Sequence, residues 1–268
     1  MNLIKELEQF LQNEPVKNQA LLLEQMTHNI GSSDSYLRDE LIYRAYCKLV
    51  GEGYLNQQQL QLLMEYMLNE GFFHYKLGEQ HTDSVFQRSF SALVIALLLE
   101  YDVTHHIFER GLVEKATEQA IFYMMNEKDY RGYVEDKGWA HAVAHGADVL
   151  DAIAKHHYFN NLQRLLRAIE IPLLSGHPFI DDEEERLAVP VFSLLKYKDT
   201  EEEIVNWLTT IVDHTNTLLN DRSTTYPYRV LHTVKHFLKA LYFYLKFKGG
   251  SEKVQQKINE SLNQWTYL

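Results

Sequence analysis

Residues 86–99 read FQRSFSALVIALLL, and this stretch decides the fold class. Its apolar residues do not alternate with polar ones as a half-buried strand requires. Thr82, Asp83 and Ser84, which precede it, are residue types that cap a helix N-terminus. The apolar run stops at Glu100, short of the roughly 18 apolar residues that a membrane-spanning helix needs. We therefore predict an apolar helix from Phe86 to Leu99.

Helical spacing of apolar residues continues on both sides of this stretch. A short first helix covers about Leu3 to Leu11, and a later one covers about Phe108 to Met125. Pro227 suits the first turn of a long helix near the end, and Gly249 suits its termination. Glycine and proline number only 12 and 5, and strand signals are weak. These features predict an all-α protein, with residues 1–268 as one helical domain.

A weak repeat organises these helices. In five segments a cationic or imidazole side chain stands just ahead of an apolar helical stripe, and the segments begin at Arg38, Arg88, His141, Arg186 and Arg229. The steps between them are 50, 53, 45 and 43 residues, close to the roughly 40–47 residues of HEAT and armadillo repeats. We predict helical hairpins stacked in a HEAT- or armadillo-like solenoid, with a compact helical array or toroidal bundle as the alternative.

The repeat also predicts where these charged residues lie. In a stack of helix pairs, the second helix of each pair lines one surface, usually the concave one. The four arginines would then line a groove suited to a carboxylate, a phosphate or an acidic peptide. The alternative is that each arginine forms an ion pair with a neighbouring acid such as Asp39, Asp83 or Glu184.

Composition limits the classes of protein. Lys and Arg number 26 against 37 Asp and Glu, and this formal net charge of −11 argues against general nucleic-acid binding. Cys47 is the only cysteine, so the chain forms no disulfide within itself, and Cys47 is expected to be a small core residue. The segment MNLIKELEQFLQNEP lacks the basic and apolar regions of a signal peptide. We expect a cytoplasmic protein that binds neither nucleic acid nor membrane, in an oligomeric state that the sequence leaves open.

The segment 131–151, RGYVEDKGWAHAVAHGADVLD, carries the densest group of chemistry-bearing residues. His141, His145 and Asp148 are spaced i, i+4 and i+7, so they project from one face of a helix. This set could bind a divalent metal or form a buried hydrogen-bonded network. The HAVAH sequence lacks the glutamate of the HExxH zinc motif, and HTVKH at 232–236 is a second histidine pair of the same spacing.

The residues around these histidines give further predictions. Gly138 permits a sharp turn into the helix, and Gly146 permits close approach of another backbone or a ligand. Trp139 is expected in the core, with a groove wall as the alternative. The charged residues of the preceding loop, including Arg131, could contact a ligand, although solvation is favoured. The acidic run 181–185 is expected at a helix N-terminus, where the helix dipole favours acids.

The segment RGYVEDKGWAHAVAHGADVLD resembles the signature of the bacterial family named domain of unknown function 2785. The resemblance rests on residues that occur together in order, namely Trp139, His141, His145, Gly146 and Asp148. The segments VFQRSFSALV and YRVLHTVKHFLKALYF resemble the family's flanking helical blocks, so the resemblance covers most of the chain. Asp136 departs from it, because a small residue is expected there. The resemblance implies an all-helical protein of about this length from bacterial cytoplasm, and it implies no activity.

Three hypotheses of function follow. The first is a cytoplasmic helical-repeat protein that binds an anionic small molecule or an acidic peptide in a groove. The residues of that groove would be Arg38, Arg88, Arg131, Trp139, His141, His145, Asp148 and Arg229. The second is a metal-dependent hydrolase in which His141, His145 and Asp148 hold a divalent metal and Glu135 is the general base. The third is a structural adaptor that binds partners through its convex surface.

Overall fold

The computed structural model describes residues 3–16, 18–221 and 223–266. The predicted fold class is confirmed, because almost all regular structure in these residues is helical. The elements are α1 Leu3–Leu11, α2 Gln19–His28, a π-helical segment Tyr36–Tyr43, α3 Arg44–Gly51, α4 Gln57–Met67, α5 Ser84–His105, α6 Arg110–Asn126, β1 Tyr133–Val134, β2 Gly138–Trp139, α7 Ala142–Lys155, α8 Leu162–Leu173, α9 Glu183–Tyr197, α10 Glu201–Leu218, α11 Tyr226–Lys248 and α12 Glu252–Gln264. The two short strands, which the sequence did not indicate, pair antiparallel as a hairpin.

The helices lie in two layers. Helices α5, α7, α9 and α11 pack side by side in that order, and the π-helical segment and α3 extend this first layer beyond α5. Helices α4, α6, α8, α10 and α12 form the second layer and pack on the first. In each pair of consecutive helices, such as α6 and α7, the second helix therefore lies in the first layer. Stacked helical hairpins have this arrangement.

Helix α5 is the core helix of the first layer. It runs from Ser84 to His105, so it contains the predicted helix Phe86–Leu99 and extends it at both ends. Within the described residues it is the helix long and apolar enough to cross a membrane. Most of it is buried against α7, α4, α3 and the π-helical segment, as expected for the central helix of an array.

Gly146 lies where α6 crosses α7. A Cβ at this position would clash with Sδ of Met124 and lie 3.0 Å from Cε1 of Tyr123. The close approach that the sequence predicted is therefore made by side chains of α6. The glycine fixes the separation of the two layers at the N-terminal half of α7.

Cys47 is half-buried on α3. Burial raises the pKa of its thiol, so the unreactive protonated form predominates at neutral pH. This agrees with the expected structural role.

Candidate functional site

The N-terminal ends of neighbouring helices meet at one end of the first layer. The guanidinium of Arg38, in the π-helical segment, is fully buried and lies 4.2 Å from the ring centroid of Phe86 and 4.6 Å from that of Phe90. The Phe90 ring contacts the imidazole of His145 edge-on, with the centroids 5.5 Å apart. One ring of α5 therefore separates a buried cation from a histidine of the predicted site.

Arg38 anchors the β1–β2 hairpin to this end of the layer. Its Nη1 donates to the carbonyl of Ser32 at 2.6 Å, and its Nη2 donates to the carbonyl of Lys137 at 2.7 Å. Its Nε lies 2.7 Å from the carboxylate of Asp39, so the ion pair considered as an alternative is present. Since the guanidinium is fully buried and engaged by these groups, Arg38 supports the hairpin from beneath and does not line a groove.

Two glycines let the hairpin lie close to its neighbours. Gly138 has a φ of +78°, and a Cβ there would lie 2.7 Å from Cβ of Ser35. A Cβ at Gly132 would clash with Asp181, whose carboxylate accepts a hydrogen bond from the Tyr133 amide at 3.0 Å. The hairpin is thus held between the π-helical segment and the loop before α9.

His141 precedes α7 in a left-handed backbone conformation, with φ +44° and ψ +36°. This conformation costs a non-glycine residue roughly 1–2 kcal/mol. The imidazole lies 4.3 Å from the Trp139 ring, between centroids, and its Nε2 lies 3.7 Å from Oε1 of Glu183. The strained turn therefore directs His141 toward a carboxyl group at the start of α9.

His145 and Asp148 lie one turn and two turns further along α7. Nδ1 of His145 is 3.5 Å from Oδ2 of Asp148, too long for a strong hydrogen bond. The other carboxylate oxygen, Oδ1, accepts from Nε of Arg186 at 3.1 Å and also from its Nη2. The rings of His141 and His145 are 5.7 Å apart, so the two histidines share one face of α7 as their spacing predicted.

Four of these side chains each bury a polar atom that has no hydrogen-bond partner within the described residues. The atoms are Nε2 of His141, Nδ1 of His145, Oδ2 of Asp148 and Oε1 of Glu183. We call these four residues the imidazole–carboxylate cluster. Buried polar atoms in proteins nearly always have partners. The four atoms face one another as two long pairs, His141 with Glu183 at 3.7 Å and His145 with Asp148 at 3.5 Å, so their capacity for hydrogen bonds is only partly met.

Burial sets the charge of the cluster. Burial, reinforced by His145, lowers the pKa of His141 to about 4, and burial also lowers the pKa of His145. Burial raises the pKa of Glu183 to about 7. Burial alone would raise the pKa of Asp148, but its contacts with His145 and Arg186 outweigh burial and hold that pKa below its usual value. These shifts favour the uncharged form of both imidazoles at neutral pH, and they place the titration of Glu183 near neutral pH.

A cleft of about 440 Å³ opens beside the cluster. Its walls include side chains of α5, α7, α9 and the π-helical segment, among them His145, Asp148, Arg186, Asp151 and Tyr43. Asp151 lies 2.7 Å from Nζ of Lys155 and accepts from Oγ of Ser193 at 2.5 Å. Asp148 pairs with Arg186 in the wall of the cleft, and Asp151 pairs with Lys155. His145 and Asp148 are the two residues of the cluster that line the cleft.

The side chains do not form a preformed metal site. Across the described ranges, no group of three or more His, Cys, Asp or Glu residues is arranged to hold a metal ion. His141 faces Glu183 whereas His145 faces Asp148, so the three predicted ligands do not converge. Glu135, the predicted general base, is exposed in the turn of the hairpin.

A family model described as Protein of unknown function (DUF2785) matches residues 73–243. The chain belongs to this family. The predicted resemblance is thereby confirmed, and the matched segment contains the β1–β2 hairpin and the whole imidazole–carboxylate cluster. Arg38 and Tyr43 precede it. Neither a curated protein nor a solved structure matches the chain.

Arg88 of this DUF2785 protein is not a groove residue. It is completely buried, and its Nε and Nη2 donate to the carboxylate of Glu127 at 2.5 and 3.0 Å. Sequence reasoning considered Asp83 as a partner, but Asp83 instead pairs with Lys137 at 2.7 Å. A ligand could reach Arg88 only by displacing Glu127.

The two remaining arginines of the predicted groove also lie apart from the cluster. Arg131 pairs with Asp129 at 2.6 Å and donates to the carbonyl of Thr82 at 2.7 Å. Arg229 is exposed on α11. The predicted groove of recurrent arginines therefore does not form, because each arginine has a different environment.

Trp139 is exposed to 41%, so the prediction of a core position is wrong. The hairpin lifts its ring out of the helical layers and sets it edge-on to Tyr133, with the centroids 5.0 Å apart. The ring also contacts His141. Trp139 thus lies at the surface beside His141, and its role as a groove wall stays a prediction.

Sequence reasoning missed two residues of the site. Glu183 belongs to the acidic run, which begins α9 as predicted, but its side chain turns inward and is 2% exposed. Arg186 was assigned to the repeat with Glu184 as its expected partner, whereas it pairs with Asp148. Both residues lie in the first turn of α9, which lies beside α7 in the first layer. This position was the signal that could have identified them.

Proposed function

We propose that this protein binds a small polar molecule at the imidazole–carboxylate cluster, reached through the adjoining cleft. The observation that carries this proposal is the group of four buried polar atoms without partners. Leaving a buried polar group unsatisfied costs about 1–3 kcal/mol. A ligand that satisfied several of them would recover part of that free energy.

The atoms in question favour a ligand rich in O–H groups. The carboxylate of Asp148 can only accept hydrogen bonds, and a neutral imidazole nitrogen of His145 can accept one as well. Glu183, with a pKa of about 7, can accept or donate. The exposed ring of Trp139 adds a flat apolar face beside these groups. Acceptors beside an aromatic face suit a polyhydroxylated molecule such as a monosaccharide or a cyclic polyol.

The anionic ligand expected from the sequence has less support at this place. Arg186 is the guanidinium in the cleft wall, and Asp148 already neutralises it. An anion would also approach the carboxylates of Asp148 and Asp151. Both effects oppose the entry of further negative charge.

Thermal-shift measurements on the full chain test the proposal. One probe set holds neutral monosaccharides and cyclic polyols, and the other holds inorganic phosphate and citrate at matched ionic strength. The variant His141→Ala/His145→Ala removes two cluster residues. Its matched control is His232→Ala/His236→Ala, an exposed histidine pair of the same spacing on α11. Glu183→Gln, which preserves the shape of the side chain, serves as a second cluster variant.

We expect at least one neutral probe to raise the Tm of the wild type and of the control variant. The same probe should not change the Tm of either cluster variant. A ligand at 100 times its Kd adds about 2.7 kcal/mol. At roughly 2–4 °C per kcal/mol for a chain of this size, this moves Tm by about 5–11 °C. Three results would contradict the proposal. They are a response to the anions alone, an equal response in cluster and control variants, and no response to any neutral probe.

Elemental analysis of tag-free protein decides the metal-dependent hydrolase. The metal-dependent hydrolase hypothesis rests on two neutral imidazoles about one helical turn apart, those of His141 and His145, which could ligate a metal. About one metal ion per chain in the wild type, lost in His141→Ala/His145→Ala and retained in the α11 control, would replace the polyol proposal with the metal one.

A further inference from the structure

Helix α11 carries an excess of positive charge that is unrelated to the imidazole–carboxylate cluster. Its 23 residues include five Lys and Arg and no Asp or Glu, in a chain whose net charge is −11. Its inner face, with Val234, Phe237 and Leu241, is buried against the array. The positive charge is therefore concentrated on the outer face.

The exposed residues of this face form one stripe. They are spaced three or four apart, within roughly 80° of arc and over about 27 Å of helix, and they are Arg229, His232, His236, Lys239, Phe243 and Phe247. The imidazoles of His232 and His236 stack with centroids 4.2 Å apart. The rings of Phe243 and Phe247 stack 5.5 Å apart. The stripe is thus cationic in its first half and aromatic in its second.

The cations of the stripe have no acidic partner. Throughout the described ranges, no residue of α11 takes part in an ion pair. Burial, followed by the charges of His232, Lys239 and Lys235, lowers the pKa of His236. Positive potential is therefore concentrated here, on an otherwise acidic protein.

The two sides of the stripe differ in charge. On one side a groove of about 280 Å³ is lined by Lys235 and Lys239 together with His232. On the other side a cleft of about 370 Å³ is lined by Phe243 and Phe247 of the stripe and by acids at the start of α9, including Glu184 and Glu185. A polyanion that covered the whole stripe would meet these acids, whereas a segment with its acids near Arg229 and apolar residues over the two phenylalanines would keep its negative charge away from them.

We infer that this stripe of α11 is a docking surface for an acidic, amphipathic helix of another protein. Acidic residues of that helix would pair with Arg229 and Lys239, and the two histidines between them could donate hydrogen bonds. Apolar residues further along would cover Phe243 and Phe247. The spacing of three and four residues is the one by which two helices contact each other, so a helical partner meets both halves at once.

Fluorescence anisotropy with the full chain tests this inference. The probe is a labelled synthetic helix of about 20 residues, long enough to cover the stripe, with Glu in one half and Leu in the other at the same spacing. The variant Arg229→Glu/Lys239→Glu reverses the charge of the stripe. Lys115→Glu/Lys128→Glu makes the same change in net charge at exposed lysines elsewhere. Phe243→Ala/Phe247→Ala removes the aromatic half.

We expect the wild type and the Lys115/Lys128 control to bind the peptide equally, with affinity that falls as salt rises. Charge reversal and removal of the phenylalanines should each weaken binding at least about tenfold, a change of roughly 1.4 kcal/mol. Circular dichroism confirms that each variant is folded.

Several outcomes would overturn the inference. Absence of peptide binding at low salt is one, and equal weakening by the control variant is another. A single-stranded oligonucleotide of equal charge that binds as tightly would identify a general polyanion surface. A wild-type dimer in analytical ultracentrifugation that Arg229→Glu/Lys239→Glu dissociates would identify a second copy of this chain as the occupant.

Discussion

Two groups of buried polar side chains in the first layer of helices differ in one respect. Around Arg88, the guanidinium donates to Glu127 and to Ser84, and the carboxylate also accepts from the amides of Lys128 and Asp129 at 2.8 Å. In the imidazole–carboxylate cluster, His145 and Glu183 are buried, His141 and Asp148 are partly exposed, and four buried polar atoms have no hydrogen-bond partner in the described residues. The first group is complete, and the second is not.

This difference teaches that burial alone does not separate a structural polar residue from a functional one. At Arg88 the contacts with Glu127 outweigh burial, so the pKa of the arginine stays above its usual value. At His141 and Glu183 of the cluster, contacts do not compensate for burial, and the pKa values of both groups move toward the neutral forms. The complete group stabilises the fold, while the incomplete group leaves polar atoms that the proposed ligand would satisfy.

The largest expected effect is at the complete group. Arg88→Ala leaves the Glu127 carboxylate buried without its cation, and this should lower the free energy of unfolding by about 3–5 kcal/mol. Urea denaturation followed by circular dichroism measures it. Arg88→Met/Glu127→Leu, which removes both charges, should recover most of the stability. If Arg88→Ala lowered the free energy of unfolding by less than about 1 kcal/mol, the Arg88 group would not be more important for stability than the cluster, and the comparison would be wrong.

The next effect concerns the hairpin that connects the two regions. Gly138→Ala places a Cβ against Ser35 at a φ of +78°, and should cost about 2–3 kcal/mol. Hydrogen exchange of the hairpin amides should accelerate as the hairpin detaches. Gly111→Ala is the control, because a Cβ there meets nothing and alanine favours the helix. Unchanged exchange in Gly138→Ala would mean that Arg38 alone retains the hairpin.

A smaller, pH-dependent effect is expected at Glu183. Its pKa of about 7 in the folded protein exceeds the ordinary value of 4.5, so its protonated form stabilises the fold below pH 4.5 and this contribution disappears as pH rises through 7. Glu183→Gln mimics the protonated form. It should match the wild type near pH 4.5 and exceed it by about 1–2 kcal/mol above pH 7.

Thermal unfolding of both proteins between pH 4.5 and 8 measures this difference. Glu203→Gln, at an exposed acid of α10, should show no such pH dependence. A difference between Glu183→Gln and wild type that stays constant with pH would show that Glu183 is ionised throughout and that burial does not govern its charge.

The smallest effect on stability is expected at Trp139, beside the imidazole–carboxylate cluster. Trp139→Ala removes a ring that is 41% exposed, so the free energy of unfolding should change by less than about 1 kcal/mol. The same variant should lose the thermal response to a neutral polyol. Tyr197→Ala, an exposed aromatic residue away from the cleft, should keep it. Loss of stability without loss of the ligand response would reassign Trp139 to the core.

Helical order was predictable because it follows from local apolar spacing. The helix predicted over Phe86–Leu99 lies within α5, and the long helix that Pro227 and Gly249 delimit is α11. Repetition of the lead residues also placed the second helices of the pairs in one layer. The prediction that Arg38, Arg88, His141, Arg186 and Arg229 share one groove was wrong. The position of a residue along a helix determines which way its side chain points, but not which residue of a neighbouring helix it contacts.

The site was predictable only in its local part. The spacing of His145 and Asp148 placed them on one face of α7, and the proximity of His141 to His145 was also predicted, although His141 lies just before the helix. The exposure of Trp139 depends on the hairpin, and the contacts with Glu183 and Arg186 depend on how α9 lies against α7. Partners separated by about forty residues leave no trace in local spacing, so the sequence could not identify them.

The central helix has a consequence for the synthesis of this protein. Helix α5 ends at His105, but α7, which covers it, is complete only at Lys155. At roughly 5–20 residues per second, a ribosome needs about 3–10 seconds to make that difference. During this interval a segment apolar enough to enter a membrane is present without its cover. The apolar surface of α5 is therefore buried only after α7 has been made.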